Sequence, residues 1–110
     1  MSTNVTLRER KERATAARRV AAEQVMSVLQ IYAQQNGGRF IIFGSVARSS
    51  IRHDSDIDIL VDFPAATTRA ALSFAEDVCF DAHLPPDIFP MSWHTPAFLD
   101  RVMKDALILS

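Results

Sequence analysis

Arg39-Phe40-Ile41-Ile42-Phe43-Gly44-Ser45 is followed, after ten residues, by Asp56-Ile57-Asp58-Ile59-Leu60-Val61. These two stretches decide the fold. Each is a short run rich in β-branched and aromatic side chains, which reads as a buried strand. Gly44 turns the chain out of the first. Successive strand side chains alternate faces, so Asp56 and Asp58 point the same way. Two carboxylates held side by side repel each other unless a cation lies between them. Mg²⁺ is the usual cation for such a pair, because it takes oxygen ligands from one or two carboxylates and from substrate phosphates. A Gly-Ser turn beside the pair offers backbone N–H groups and a hydroxyl to those phosphates. The chemistry implied is nucleotidyl or phosphoryl transfer.

Outward from this centre, Leu7 to about Gln35 holds no Gly or Pro and reads as one helix, opened by a Thr6/Glu9 capping box. Ala14, Ala17, Ala21, Val25, Val28 and Tyr32 recur at spacings of three and four and form its expected buried stripe. The alanine half of that stripe buries little area, so a partner is one way to complete it. Asn36-Gly37-Gly38 stops the helix. Strand one is expected over Arg39–Phe43, a short helical turn over residues 46–50, a loop over Ser49–Asp54, and strand two over Asp56–Phe63, closed by Pro64. Thr67 to about Phe80 reads as a helix with Ala71, Leu72, Ala75, Val78 and Cys79 inward. Leu84–Phe89, interrupted by Pro85-Pro86, reads as an edge strand. Thr95-Pro96 opens a last helix, and Leu107-Ile108-Leu109 forms a final short strand. The order is α-β-(turn)-β-α-β-α, an α+β fold with a small mixed sheet. A single domain over residues 1–110 is expected, with a long N-terminal helix in 1–36 and the sheet and remaining helices in 37–110.

The 110 residues are 48% hydrophobic, normal for a globular chain. No apolar run approaches the roughly 20 residues of a membrane span. The N-terminus is charged where a signal peptide is apolar, so a cytosolic protein is expected. Cys79 is the single cysteine, which excludes an intrachain disulfide and a cysteine zinc cluster. Residues 1–19 carry six Lys or Arg and two Glu, a balance of +4; residues 20–110 carry six and eleven, a balance of -5. The basic stretch suits a solvated helix face or an acidic partner. Direct nucleic-acid binding is not expected, since no recognised motif and no aromatic residues accompany the arginines.

Gly44-Ser45-Val46-Ala47-Arg48, followed by Ser55-Asp56-Ile57-Asp58-Ile59-Leu60-Val61-Asp62, resembles the minimal nucleotidyltransferases of the DNA polymerase β-like superfamily. The resemblance covers residues ~20–110 in order and spacing. It implies a short mixed sheet with packed helices, a Gly-Ser turn after the first strand, an Asp-x-Asp pair on the second, and a third acid on a later strand. Asp87, in Pro86-Asp87-Ile88-Phe89, is the candidate third acid. Asp56, Asp58 and Asp87 would then be the catalytic carboxylates and the ligands of two Mg²⁺ ions. Gly44, Ser45 and Arg48 would bind the nucleotide. The resemblance further implies ATP as substrate and an all-helical HEPN-type RNase toxin as partner. AMP transfer onto that toxin would neutralise it, making the chain an antitoxin. Close relatives often carry Gly after the motif arginine, whereas this chain has Ser49, which implies a differently shaped loop.

Other residues have plainer readings. Arg52 is expected in solvent, Asp62 solvated at the strand's far end, and Asp54 shaping the loop. His53, His83 and His94 have no metal-ligand spacing and read as surface or loop residues. Trp93 is expected to pack on the core, and Arg101 and Lys104 to face water. Two further functions compete with transfer onto a protein. One is an antitoxin that works by contact alone with a relic of the site. The other is a transferase for small molecules such as aminoglycosides, whose members generally carry an additional domain.

Overall fold

Thr6 starts the first helix by accepting a hydrogen bond at Oγ1 from the Glu9 N–H at 3.1 Å. The structure is a computed structural model that describes residues 6–110. Helix α1 runs Leu7–Asn36 and ends at Gly37, whose left-handed φ of 71° lets its N–H reach the Ala33 carbonyl. Residues 1–5 of the expected N-terminal segment lie outside the described residues. The buried ridge of α1 is Ala22, Val25, Leu29 and Ala33. Ala14 and Ala17 are exposed, and Val28 is 42% exposed. The expected stripe is therefore turned by about one residue in its second half. Leu29 buries more apolar area than Val28, and helix rotation follows the larger gain.

Strand β1 is Arg39–Phe43, as expected, and the short helix α2 is Gly44–Ala47, two residues earlier than expected. Strand β2 is Ile57–Asp62 and leaves both Asp56 and Phe63 outside. Helix α3 is Ala65–Asp81, starting directly after Pro64. Strand β3 is Pro86–Pro90, a 3₁₀ turn covers Met91–Trp93, helix α4 is Pro96–Met103, and strand β4 is Leu107–Leu109. Thr95 caps α4 through the Phe98 N–H at 3.2 Å.

The sheet order is β3-β2-β1-β4. β1 runs antiparallel to β2 and β4, while β2 and β3 are parallel. A parallel pair needs a crossover, which α3 supplies. The Ile57 N–H donates to the Pro85 carbonyl at 3.0 Å. Parallel-ladder alternation then turns the nitrogens of Pro86, Ile88 and Pro90 to the open edge, and two of the three have no hydrogen to donate.

Phe40, Ile42, Ile57, Ile59 and Val61 face α1 and α3 and form the core with Leu29, Ala71, Ala75 and Cys79. Tyr32 stacks on Phe74 at 4.1 Å and lies 5.9 Å from Phe40, joining both helices to β1. Burial pushes the Cys79 thiol up to about 11, so it packs as an apolar group. Alternation puts Ile41, Leu60, Asp58 and Asp87 on the opposite face. There α4 approaches, with Phe98 edge-on to Phe43 at 6.1 Å. Trp93 does not pack on the core; it is 73% exposed, because the 3₁₀ turn after Pro90 carries it off the sheet. No helix among the described residues is long and apolar enough to cross a membrane.

Candidate active site

Sheet register brings the carboxylates together. Asp58 is opposite Phe43 on β1 and directly beside Asp87 on β3. Neighbouring strands lie about 4.8 Å apart, so these two side chains rise from one face as a pair. Gly44 follows Phe43, so the turn leaving β1 passes immediately over Asp58. Its φ is 72°, and a Cβ there would overlap Asp58 Oδ2. Only glycine meets both demands.

The Asp58 carboxyl is pushed up from 3.8 to about 6. Burial is the largest cause, followed by the negative charge of Asp87 and then that of Asp56; the nearby Arg48 guanidinium opposes them. Asp87 is also within hydrogen-bonding reach of Asp58. Asp58 therefore holds a proton more firmly than an isolated carboxylate does. Such a group is where either a proton or a cation is expected to reside.

Asp56 is exposed and precedes β2 rather than opening it. Ser55, beside it, closes a turn: its Oγ accepts from the Arg52 N–H at 2.7 Å, and its N–H reaches the Arg52 carbonyl at 3.1 Å. From α1, Arg18 donates through Nε to the His53 carbonyl and through Nη1 to the Ser55 carbonyl, both at 2.9 Å. Ser45 is half-buried at the start of α2, and its carbonyl accepts from the Ser50 N–H at 2.9 Å. Ser49 adopts φ 57°, a left-handed conformation that glycine reaches at less cost. The serine bears the strain of that conformation.

A cleft of about 360 Å³ opens above Asp58. Gly44, Arg48 and Asp58 border one side; Phe98, Arg101 and Asp105 border the other. Arg101 thus borders the cleft instead of facing only water, with its guanidinium carbon 5.9 Å from the centre of the Phe98 ring. His94 stacks behind Phe98 at 4.4 Å, and its Nε2 is buried without a hydrogen-bond partner. Sequence reasoning missed Phe98 and Asp105 as cleft residues and Arg18 as a brace. The three-residue spacing of Phe98 and Arg101 on one helix was the available signal for the cleft wall. Arg18 gave none, since its acceptors are backbone carbonyls 35 and 37 residues away.

The residues that could hold a divalent cation are Asp56, Asp58 and Asp87. All are hard oxygen donors, and the repulsion that adds to burial in raising Asp58 is what a cation would relieve. As placed, no three His, Cys, Asp or Glu side chains among the described residues are gathered to hold an ion. Asp58 and Asp87 form the fixed pair, and Asp56 has the exposure to swing toward them. Asp62, on the same parity, does not join them. It pairs with Arg39 at 2.6 Å, its cross-strand neighbour.

Comparison with known proteins bears on the family and the fold. Residues 25–106 match the family described as the nucleotidyltransferase domain. A solved structure provisionally described as a minimal nucleotidyltransferase superposes with a TM-score of 0.62 at 25% identity, covering 74% of this chain and 86% of that one. No curated protein sequence gives a significant match.

Proposed function

This chain belongs to the nucleotidyltransferase domain family, and from that premise we propose that it is a Mg²⁺-dependent antitoxin that moves AMP from ATP onto a HEPN-type RNase toxin. The observation that carries the catalytic part is the register of Asp58 with Asp87, under a glycine turn that admits no side chain.

In this reading, Gly44 brings the backbone N–H groups of the following turn against the triphosphate, and the Ser45 hydroxyl adds a donor. Arg48 contacts a phosphate oxygen through its planar fork. Asp56, Asp58 and Asp87 would hold two Mg²⁺ ions, which would supply positive charge to offset that of the phosphates. Asp87 takes the proton from the acceptor hydroxyl. That oxygen bonds to the α-phosphorus, the bond to the β-phosphate oxygen breaks, and pyrophosphate leaves with the electron pair. The Phe98–Arg101 wall of α4 bounds the cleft on the side away from the carboxylates. A macromolecular acceptor fits a small domain that has little recognition surface besides its cleft.

A second reading, neutralisation by contact alone, is favoured by one observation: the three carboxylates are not gathered as placed. Labelling with α-³²P-ATP and Mg²⁺ separates the two. Label on the toxin with wild type, but not with Asp56→Asn/Asp58→Asn, supports transfer. A double mutant that neutralises the toxin as well as wild type, without label in either, supports contact alone.

A further inference from the structure

Asp58 and Asp87 are placed by the β-ladder, but Asp56 is not. Pairing between β2 and β3 begins at Ile57, and pairing between β1 and β2 reaches only Asp58. Asp56 lies one residue outside, exposed, at the end of the loop that follows α2. The bonds between Arg52 and Ser55 close a turn but tie the loop to nothing else.

Ile51 packs against the core at the start of this loop, and the Ile57 N–H that follows Asp56 is held by the Pro85 carbonyl. The side-chain hydrogen bonds that tie the stretch just before Asp56 to the rest of the fold come from Arg18. It lies on the ridge that continues through Ala22, Val25 and Leu29, at spacings of four, three and four residues. N-terminal to it, the hydrogen bonds of α1 side chains stay within the helix and its cap: Thr6 with Glu9, Arg8 with Glu12, and Thr15 with Lys11. Arg18 instead reaches across to two carbonyls of one loop, at 2.9 Å each. The Ser55 carbonyl belongs to the planar peptide unit that also carries the Asp56 N–H. Holding that oxygen fixes the plane from which Asp56 departs. A charged donor makes such bonds stronger than neutral ones, and the guanidinium fork serves two acceptors at once where an ammonium has no fixed geometry.

We propose that Arg18 is a positioning residue for Asp56: by clamping the His53 and Ser55 carbonyls it fixes the backbone from which the Asp56 side chain swings to the Asp58–Asp87 pair, and so tightens the divalent-cation site. The inference rests on the cation site proposed above. It makes a prediction opposite in sign to simple electrostatics. Arg18 is a cation, so its charge alone opposes cation binding, and deleting it would tighten the site if charge were all that mattered. A clamp predicts weaker binding.

The test is Mn²⁺ as a probe, titrated into the full chain and read from the electron paramagnetic resonance of free Mn²⁺. Arg18→Met and Arg18→Lys are compared with wild type, at a temperature where melting curves show each folded. Arg19→Met, an exposed neighbour, controls for the lost charge. Arg18→Met is expected to weaken Mn²⁺ about tenfold or more, the usual effect of losing a residue that orients a metal ligand. Arg18→Lys is expected to fall between it and wild type, and Arg19→Met to match wild type or bind slightly tighter. Mn²⁺ affinity in Arg18→Met equal to or tighter than wild type overturns the inference and leaves the cation site standing. Absence of Mn²⁺ binding by wild type overturns the cation site itself, and this inference with it. If Arg18→Met does not fold, Arg18→Lys decides: several-fold weaker binding supports the clamp, and unchanged affinity overturns it.

Discussion

The backbone of Gly44 lies so close to the carboxylate of Asp58 that a methyl group at position 44 would overlap Oδ2. A side chain at position 44 and the Asp58 carboxylate as oriented here therefore exclude each other. Gly37 makes the contrast. Its φ of 71° nearly equals the 72° of Gly44, yet a Cβ there meets nothing within 4 Å.

Gly37→Ala is therefore expected to cost only the left-handed backbone strain, about 1 kcal/mol, and to leave nucleotidyl transfer unchanged. Gly44→Ala adds the overlap, so about 3 kcal/mol is expected, together with loss of transfer. Urea denaturation of both variants beside a transfer assay checks the pair. Equal destabilisation by the two would show that Asp58 yields easily.

Asp58 makes metal-free stability depend on pH. Its folded value of about 6 is above the ordinary 3.8, so between roughly pH 4 and pH 6 the folded state holds more proton than the unfolded. Stability from this group is present below that window and falls as pH rises through it. Asp58→Asn removes the dependence. At pH 7 it is expected to stabilise the metal-free protein by about 1 kcal/mol, discounted for the solvent that reaches this half-buried carboxyl. At pH 4 it is expected to be neutral. Melting curves of both proteins in chelator at the two pH values settle this, and a variant less stable than wild type at pH 7 counts against it.

Asp87→Asn and Asp58→Asn are each expected to lower transfer roughly a hundredfold or more with the fold intact. Asp62→Asn is the control. It breaks the 2.6 Å pair with Arg39, whose side chains are 35% and 40% exposed, and is expected to cost about 0.5 kcal/mol with transfer unchanged. Single-turnover rates beside circular dichroism distinguish the three. Full activity in Asp87→Asn would remove it from the reaction.

Ser49 sits at φ 57°. Replacing it with Gly relieves the left-handed strain but makes the unfolded chain freer, so Ser49→Gly is expected to stabilise by only about 0.5 kcal/mol. Denaturation midpoints measure this directly, and a destabilised variant would mean that the serine holds the loop by a contact.

Asp58, Gly44 and the strands carrying them were legible because the signal is local: alternation fixes a face, and a glycine before a hydroxyl marks a turn. Asp87 was singled out by the resemblance, which implies a third acid on a later strand, while Pro85-Pro86 hid where β3 begins. The rest depends on distance. Choosing Val28 over Leu29 for the buried ridge of α1 turned on rotation, which alanines at 14, 17 and 21 do little to fix. Trp93 is hydrophobic by composition and exposed by topology. Arg18 reads as one more charge in a basic run until the fold brings residues 53 and 55 beside it. Asp62 looked solvated until register placed Arg39 opposite.

The prolines that bracket Asp87 also protect the molecule from itself. An unpaired sheet edge is a template on which newly made chains stack, and a flat apolar one seeds fibrils. Here the growing side would need donors from positions 86, 88 and 90, and only Ile88 has one. Pro86, one of the pair that obscured the strand in the sequence, therefore joins Pro90 in making it a poor nucleus for aggregation. A carboxylate needed at the surface can rest on an outer strand without inviting polymerisation.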